Sequence, residues 1–329
     1  VDPSGDLKQV EKKGTLTVTA TLKKDGKTVG TPVVKEIEVD APQMSEITAD
    51  LDSIIYPDGT PTALSVNLTG INEKDIGDYS VQWSKGGMVT LVNGEQGSLG
   101  NRVTPFAKDD TGKIVSSQAV RQSGPGEAKI TATLLYDGYP LAESQFSEKT
   151  LTAIPAVTCV EFNYVTVSTS GDTVDVGPAC SITLGTPYDL SGATVESGGL
   201  ARDITWTVDE TSKVAGMNYN INNNNQLTVT VDMANKTQVT VPENVVVVGE
   251  IAHGVGYNKP FVAKFRIPIA KPETLAADNI VLVKDDAIVG ATDTINLSST
   301  DSTPITVKAF LQPAFENKSL TVESSDDAV

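Results

Sequence analysis

Residues 14–26 read GTLTVTATLKKDG, and 112 positions later residues 126–138 read GEAKITATLLYDG. Seven of the thirteen positions are identical, among them Thr-Ala-Thr-Leu and the closing Asp-Gly. In the first copy Leu16, Val18, Ala20 and Leu22 alternate with Thr15, Thr17, Thr19 and Thr21. A period of two puts the aliphatic side chains on one face of a β-strand and the threonines on the other. Asp-Gly then predicts a turn, because Gly accepts positive φ and Asp bonds its own backbone. A repeat of about one domain length points to tandem modules rather than to one large enzyme fold.

The grammar around the repeats extends this. Closing strands follow at 35–42 (KEIEVDAP) and 148–156 (EKTLTAIPA). A degenerate third copy runs from 243 to 254 and is followed by FVAKFRIPIAKP. Each closing strand meets a Pro within a few residues, a strand terminator. Boundaries are therefore expected near residues 42, 155 and 272. Trp83 and Trp206 each sit in an alternating stretch in mid-module, which marks them as core anchors. Burying such a ring removes about 150–250 Å² from water, about 4–6 kcal/mol at ~25 cal/mol/Å². No convincing helix emerges; residues 108–122 are interrupted by Ser and Gly and read as a loop or a marginal helical turn. Short strands at regular spacing predict an all-β chain of tandem immunoglobulin-like β-sandwiches. The expected division is 1–41, the closing part of one module; 42–154 and 155–271, two complete modules; and 272–329, the opening part of a further one.

Residues 305–329, ITVKAFLQPAFENKSLTVESSDDAV, resemble bacterial Ig-like domains of group 2, the invasin/intimin-like repeats. Pro313, Asn317, Lys318, Ser324, Ser325, Asp326 and Val329 match that pattern, whereas Val322 stands where Trp is usual. The segments containing Thr-Ala-Thr-Leu look like the penultimate strand of the same family. The resemblance implies surface adhesins, S-layer proteins or phage structural proteins, without catalysis of their own. It does not choose among these roles.

Residue chemistry points the same way. His253 is the only histidine, which removes Ser-His-Asp and Cys-His arrangements and His-based zinc sites. It stands where Asp25 and Asp137 stand in the other repeats, so it is expected in a turn. Gly26-Lys27-Thr28 lacks the leading Gly of a phosphate-binding loop. The acidic doublets Asp109-Asp110, Asp285-Asp286 and Asp326-Asp327 lack EF-hand spacing and read first as solvated loops. They leave Ca²⁺ open as the only cofactor. Cys159 and Cys180 form neither a CxxC nor a metal quartet, and leave a disulfide open. Asn222, Asn223, Asn224 and Asn225 form a run that predicts a protruding hairpin, a candidate exposed contact loop.

A net charge of −17 repels nucleic acid and anionic membrane surfaces. The longest aliphatic run, Val245–Val248, is far shorter than the roughly 20 residues a membrane helix needs. The expected function is a non-catalytic structural or adhesive array on a bacterial surface, an S-layer or an adhesin stalk. Its partners would be further copies, other surface proteins, or host or cell-surface glycans. Short Pro-marked linkers predict a semi-rigid string of modules. A phage virion structural or decoration protein is the alternative. A carbohydrate-binding accessory is a third reading, and it would need Tyr56, Tyr136, Tyr139 and Tyr257 exposed on a flat face.

Overall fold

The computed structural model describes residues 14–39, 41–96, 100–141, 145–271, 279–290, 306–315 and 319–321. The chain divides into two compact units, Val1–Ala156 and Val157–Val329.

In the first unit, β1 (Gly14–Ala20) and β2 (Val33–Val39) form an antiparallel hairpin, with Gly14 opposite Val39 and Ala20 opposite Val33. A sandwich follows. Its strands are β3 (Ile54–Ile55), β4 (Thr62–Thr69), β5 (Tyr79–Gly87), β6 (Val89–Leu91), β7 (Arg102–Pro105), β8 (Ile114–Gln122), β9 (Gly126–Tyr136) and β10 (Phe146–Ala153). One sheet runs β6-β8-β4, with the short strand Gln43–Met44 at its edge; the other runs β7-β5-β9-β10-β3. Strands distant in sequence are neighbours, and β3 joins β10 in parallel while β7-β5, β5-β9, β9-β10, β6-β8 and β8-β4 are antiparallel. This is the two-sheet order of the immunoglobulin fold.

The alternation that the sequence predicts fills the space between the sheets. Leu64, Val66 and Leu68 of β4 face Ala128, Ile130, Ala132 and Leu134 of β9, and all are buried. Trp83 on β5 is fully buried opposite Ala132. Residues 108–122, expected to be a loop or a helical turn, hold instead the nine-residue strand β8, paired with β4 through seven positions. The inward phase of β8 carries Ser116 and Gln118 beside Val120, so its polar side chains masked the period of two. Those polar groups are satisfied. Trp83 Nε1–H donates to Thr104 Oγ1 at 2.7 Å, and Thr104 Oγ1 lies 2.6 Å from Ser116 Oγ. Gln118 Oε1 accepts from the backbone N–H of Asn93 at 2.7 Å, and its Nε2–H donates to the Asn93 carbonyl at 3.0 Å.

The second unit follows a similar plan, with one long hairpin of 13- and 10-residue strands and otherwise short strands. These are β11 (Cys159–Phe162), β12 (Val165–Val167), β13 (Thr173–Asp175), β14 (Tyr188–Asp189), β15 (Thr194–Glu196), β16 (Thr205–Val208), β17 (Met217–Ile221), β18 (Gln226–Val231), β19 (Asn244–Gly256) and β20 (Lys259–Pro268). The sheets run β13-β20-β19-β16, β14-β18-β17 and β12-β11-β15. β13 joins β20 in parallel, as β3 joins β10. Trp206 on β16 is buried opposite Gly249, on the strand equivalent to that of Trp83. Around it Phe162 and Phe265 lie at ring-centroid distances of 5.9 and 6.1 Å.

β21 (Ile280–Lys284), β22 (Ala287–Val289) and β23 (Val307–Leu311) make a small antiparallel sheet beyond this sandwich. It is tied to the sandwich. The buried Gln312 accepts from Val239 N–H at 3.0 Å and donates to the Asp232 carbonyl at 3.1 Å. Phe315 packs into the core that includes Val239, Val241 and Trp206.

Candidate functional site

The loop residues Asn222–Asn225 join β17 to β18 in a tight hairpin. Asn222 Oδ1 accepts from the backbone N–H of Asn224 and of Gln226, at 2.9 and 3.0 Å, so its side chain serves the turn itself. Asn225 takes φ 56, the left-handed conformation that Asn tolerates better than most residues. Asn222, Asn223 and Asn224 are exposed, and Asn225 is half-buried with its carbonyl accepting from Leu190 N–H at 2.9 Å. The hairpin therefore presents amides from a rigid base.

Cys159 and Cys180 are both free thiols and half-buried. Cys159 opens β11 opposite Glu196, and Cys180 ends a short 3-10 turn and packs against the core. The Cys180 carbonyl accepts from Tyr188 Oη–H at 2.9 Å, and Tyr188 Oη accepts from Asn163 Nδ2–H at 2.7 Å. Burial, aided by Cys180, pushes the Tyr188 phenol up to about 12. Next to Asn163, Tyr164 is 95% exposed at φ 64, at the tip of the β11–β12 turn.

The two acidic doublets among the described residues lie in turns. Asp109 Oδ1 accepts from Thr111 Oγ1–H, Thr111 N–H and Lys113 N–H at 2.8–2.9 Å, and the Thr111 hydroxyl is the main cause of its lowered pKa. Asp285 and Asp286, at φ 50 and 62, form the two-residue turn between β21 and β22. Asp286 meets Lys236 at 3.1 Å. Asp326-Asp327 lie outside the described residues. Among the described residues, no three His, Cys, Asp or Glu side chains converge to hold a metal ion. The most perturbed carboxylate is Asp209, held down to about 2 by the Thr211 hydroxyl first and then by Lys264 at 2.9 Å. It accepts from Thr211 N–H at 3.0 Å and so caps the short turn Glu210–Ser212, a structural duty.

His253 is not in the hairpin turn. It lies inside β19 at φ 54, where the register with β20 shifts between Ile251 and Gly256, and the reversal comes at Tyr257–Asn258. The positive φ expected from Asp25 and Asp137 is present, but here it makes a bulge. Its Nδ1 accepts from Asn258 N–H at 3.3 Å, and its ring stacks on Tyr257 at 6.1 Å. Of the tyrosines a flat sugar platform would need, Tyr56 is buried and Tyr136 packs at 5.1 Å against Tyr79, whereas Tyr139 and Tyr257 are exposed on separate units.

A feature that the sequence did not reveal is a groove of about 330 Å³ between β15 and β16. Thr194, Val195, Arg202, Ile204, Trp206 and Asn225 are among the residues that line it. Thus Asn225, marked by the sequence as part of a contact loop, borders a surface depression that Trp206 also lines. No spacing in the sequence links residues 194 and 204 across two sheets.

No family model and no curated protein matches the chain. Among solved structures it is similar to FdeC, an Escherichia coli adhesin, at 14% identity over 79% of this chain and 74% of that one, with a TM-score of 0.33. It is also similar to the tandem Ig repeats of Dlar, at 14% identity over 70% of this chain and 100% of that one, TM-score 0.22. Domains 4 and 5 of the S-layer protein SbsC match at 13% identity over 69% and 100%, TM-score 0.21. The strand order itself makes the chain an all-β protein of immunoglobulin-like sandwiches in tandem.

Proposed function

We propose that the chain is a non-catalytic structural or adhesive array of bacterial Ig-like modules of the group 2 type, working outside the cell in an S-layer or an adhesin stalk. The proposed modules are 42–154 and 155–271, flanked by the closing part of one module at 1–41 and the opening part of another at 272–329. The observation that carries the reading is a similar sandwich built twice in succession, each closed around one tryptophan. The side chains of Asp109, Asp209 and Asn222 each serve a local turn or cap. The acidic surface suits a secreted, crowded layer, because like-charged modules stay soluble while making specific lateral contacts. The partners are further copies or other surface proteins, with host or cell-surface glycans as ligands of adhesive tips.

Antibodies raised against the folded chain, applied to intact cells of the producing bacterium, are expected to label the surface. Labelling of purified phage particles instead would move the array to a virion. Labelling only after lysis would overturn the reading.

A further inference from the structure

The outer edge of the Trp206 strand is where the two sandwiches differ. In the first, β5 has neighbours on both sides: β9, and β7 with Arg102 opposite Trp83 and Val103 opposite Gln82. In the second, β16 pairs with β19 alone. Asp209 N–H donates to the Val246 carbonyl at 2.9 Å. By alternation along an antiparallel pair, Thr205 and Thr207 turn their backbone groups toward β19, and Trp206 and Val208 turn theirs outward. Among the described residues no strand receives them. β15 is likewise the outermost strand of its sheet, paired with β11 only. The groove described above lies between these two open edges.

Natural sheets blunt such edges with very short strands, Lys, Pro or a bulge. At four residues β16 is short, but Thr205-Trp206-Thr207-Val208 carries no Lys or Pro, and its register with β19 is unbroken. We propose that the groove takes an extended strand of a partner polypeptide, added antiparallel to β16 in the position that β7 fills on β5. Backbone hydrogen bonds to Trp206 and Val208 supply affinity, and alternate side chains entering the groove supply specificity. The floor of Val195, Ile204 and Trp206 selects aliphatic residues at those alternate positions. Of the charged side chains at and around the groove, Asp203, Glu196 on β15 and Glu250 (opposite Thr205) are acidic and one, Arg202, is basic, in a chain of net charge −17. The partner strand therefore carries neutral or basic residues on its other face. The inference concerns one module edge and holds whether the array stands on a cell or on a virion.

The test uses the full chain and a synthetic peptide of residues 100–108, GNRVTPFAK, which contains the strand covering the equivalent edge, carries Val103, Pro105 and Ala107 at alternate positions and Arg102 and Lys108 on the other phase, and has no acidic side chain. Hydrogen exchange followed by mass spectrometry is expected to show amides within 194–196 and 204–208 exchanging about tenfold more slowly with peptide at saturation. A peptide methylated at alternate backbone amides should give no protection. Asp203→Lys, at an exposed position, should raise the peptide concentration required about threefold and leave exchange of the unbound chain unchanged. No protection up to the solubility limit of the peptide would overturn the proposal. So would protection elsewhere only, equal protection by the methylated peptide, or indifference to Asp203→Lys.

Discussion

Thr104→Val tests the reasoning about the first sandwich most directly. Valine keeps the shape of threonine and removes Oγ1, the acceptor of Trp83 Nε1–H at 2.7 Å and the neighbour of Ser116 Oγ at 2.6 Å. Ser116 keeps a bond to the Thr104 carbonyl at 3.3 Å, so its hydroxyl is not stranded. The indole is. Trp83 is fully buried, and its N–H has no route to water. An unsatisfied buried donor costs about 1–3 kcal/mol, against which the added methyl regains up to about 0.8 kcal/mol. The expected net loss is about 1–2 kcal/mol. With a urea m-value of about 2 kcal/mol/M, this lowers the midpoint of the first unit by about 0.5–1 M. Urea unfolding of a Trp206→Phe background, followed by Trp83 fluorescence, isolates that transition. Thr104→Ser keeps the hydroxyl and gives up one methyl, so it should cost less than valine. A valine variant within about 0.3 kcal/mol of the parent, or a serine variant as costly as valine, would refute the claim that this hydrogen bond holds the core polar network together.

Three further outcomes are expected. Gly249→Ala places a Cβ 2.9 Å from Trp206 Cζ3 and from Ile204 Cγ2, so overpacking should cost the second unit about 1–3 kcal/mol in thermal melts while the first is untouched. Asp209, lowered from 3.8 to about 2, adds stability that is full above about pH 4 and is lost as pH falls through about 2. Acid titration of the second unit should show that slope, and Asp209→Asn should flatten it. Phe315→Ala should lower the stability of the second unit by about 3–5 kcal/mol, although Phe315 lies outside the strands of its sandwich, because it packs into that core; an unchanged melt would remove Phe315 from the core.

Several elements were legible because local pattern and tertiary role agree. Ile130, Ala132 and Leu134 alternate with polar residues and are buried; Asp25, Asp137 and Asn225 take the positive φ that their turns require. Strand β8 was not legible, because its buried phase carries Ser116 and Gln118, whose partners Thr104 and Asn93 come from other segments. The β15–β16 groove was hidden for a related reason. An open sheet edge is defined by which strand is missing beside it, and no local pattern encodes an absence.

The repeat itself separates what local sequence determines from what tertiary structure decides. Both copies form a strand followed by an Asp-Gly turn, the first ending at Ala20 ahead of Asp25-Gly26 and the second running unbroken to Tyr136 at Asp137-Gly138, because alternation and turn chemistry are properties of the segment alone. Their burial diverges. Ile130 and Leu134 are fully buried, whereas the equivalent Val18 and Leu22 are 43% and 72% exposed. Burial requires an opposing sheet: the second copy has β4 and β8 packed across from it, and among the described residues no sheet lies across from the first. Each such aliphatic contributes about 1.5–3 kcal/mol when covered and little when bare. The strand is written in its own residues; the stability it confers depends on the sheet that covers it.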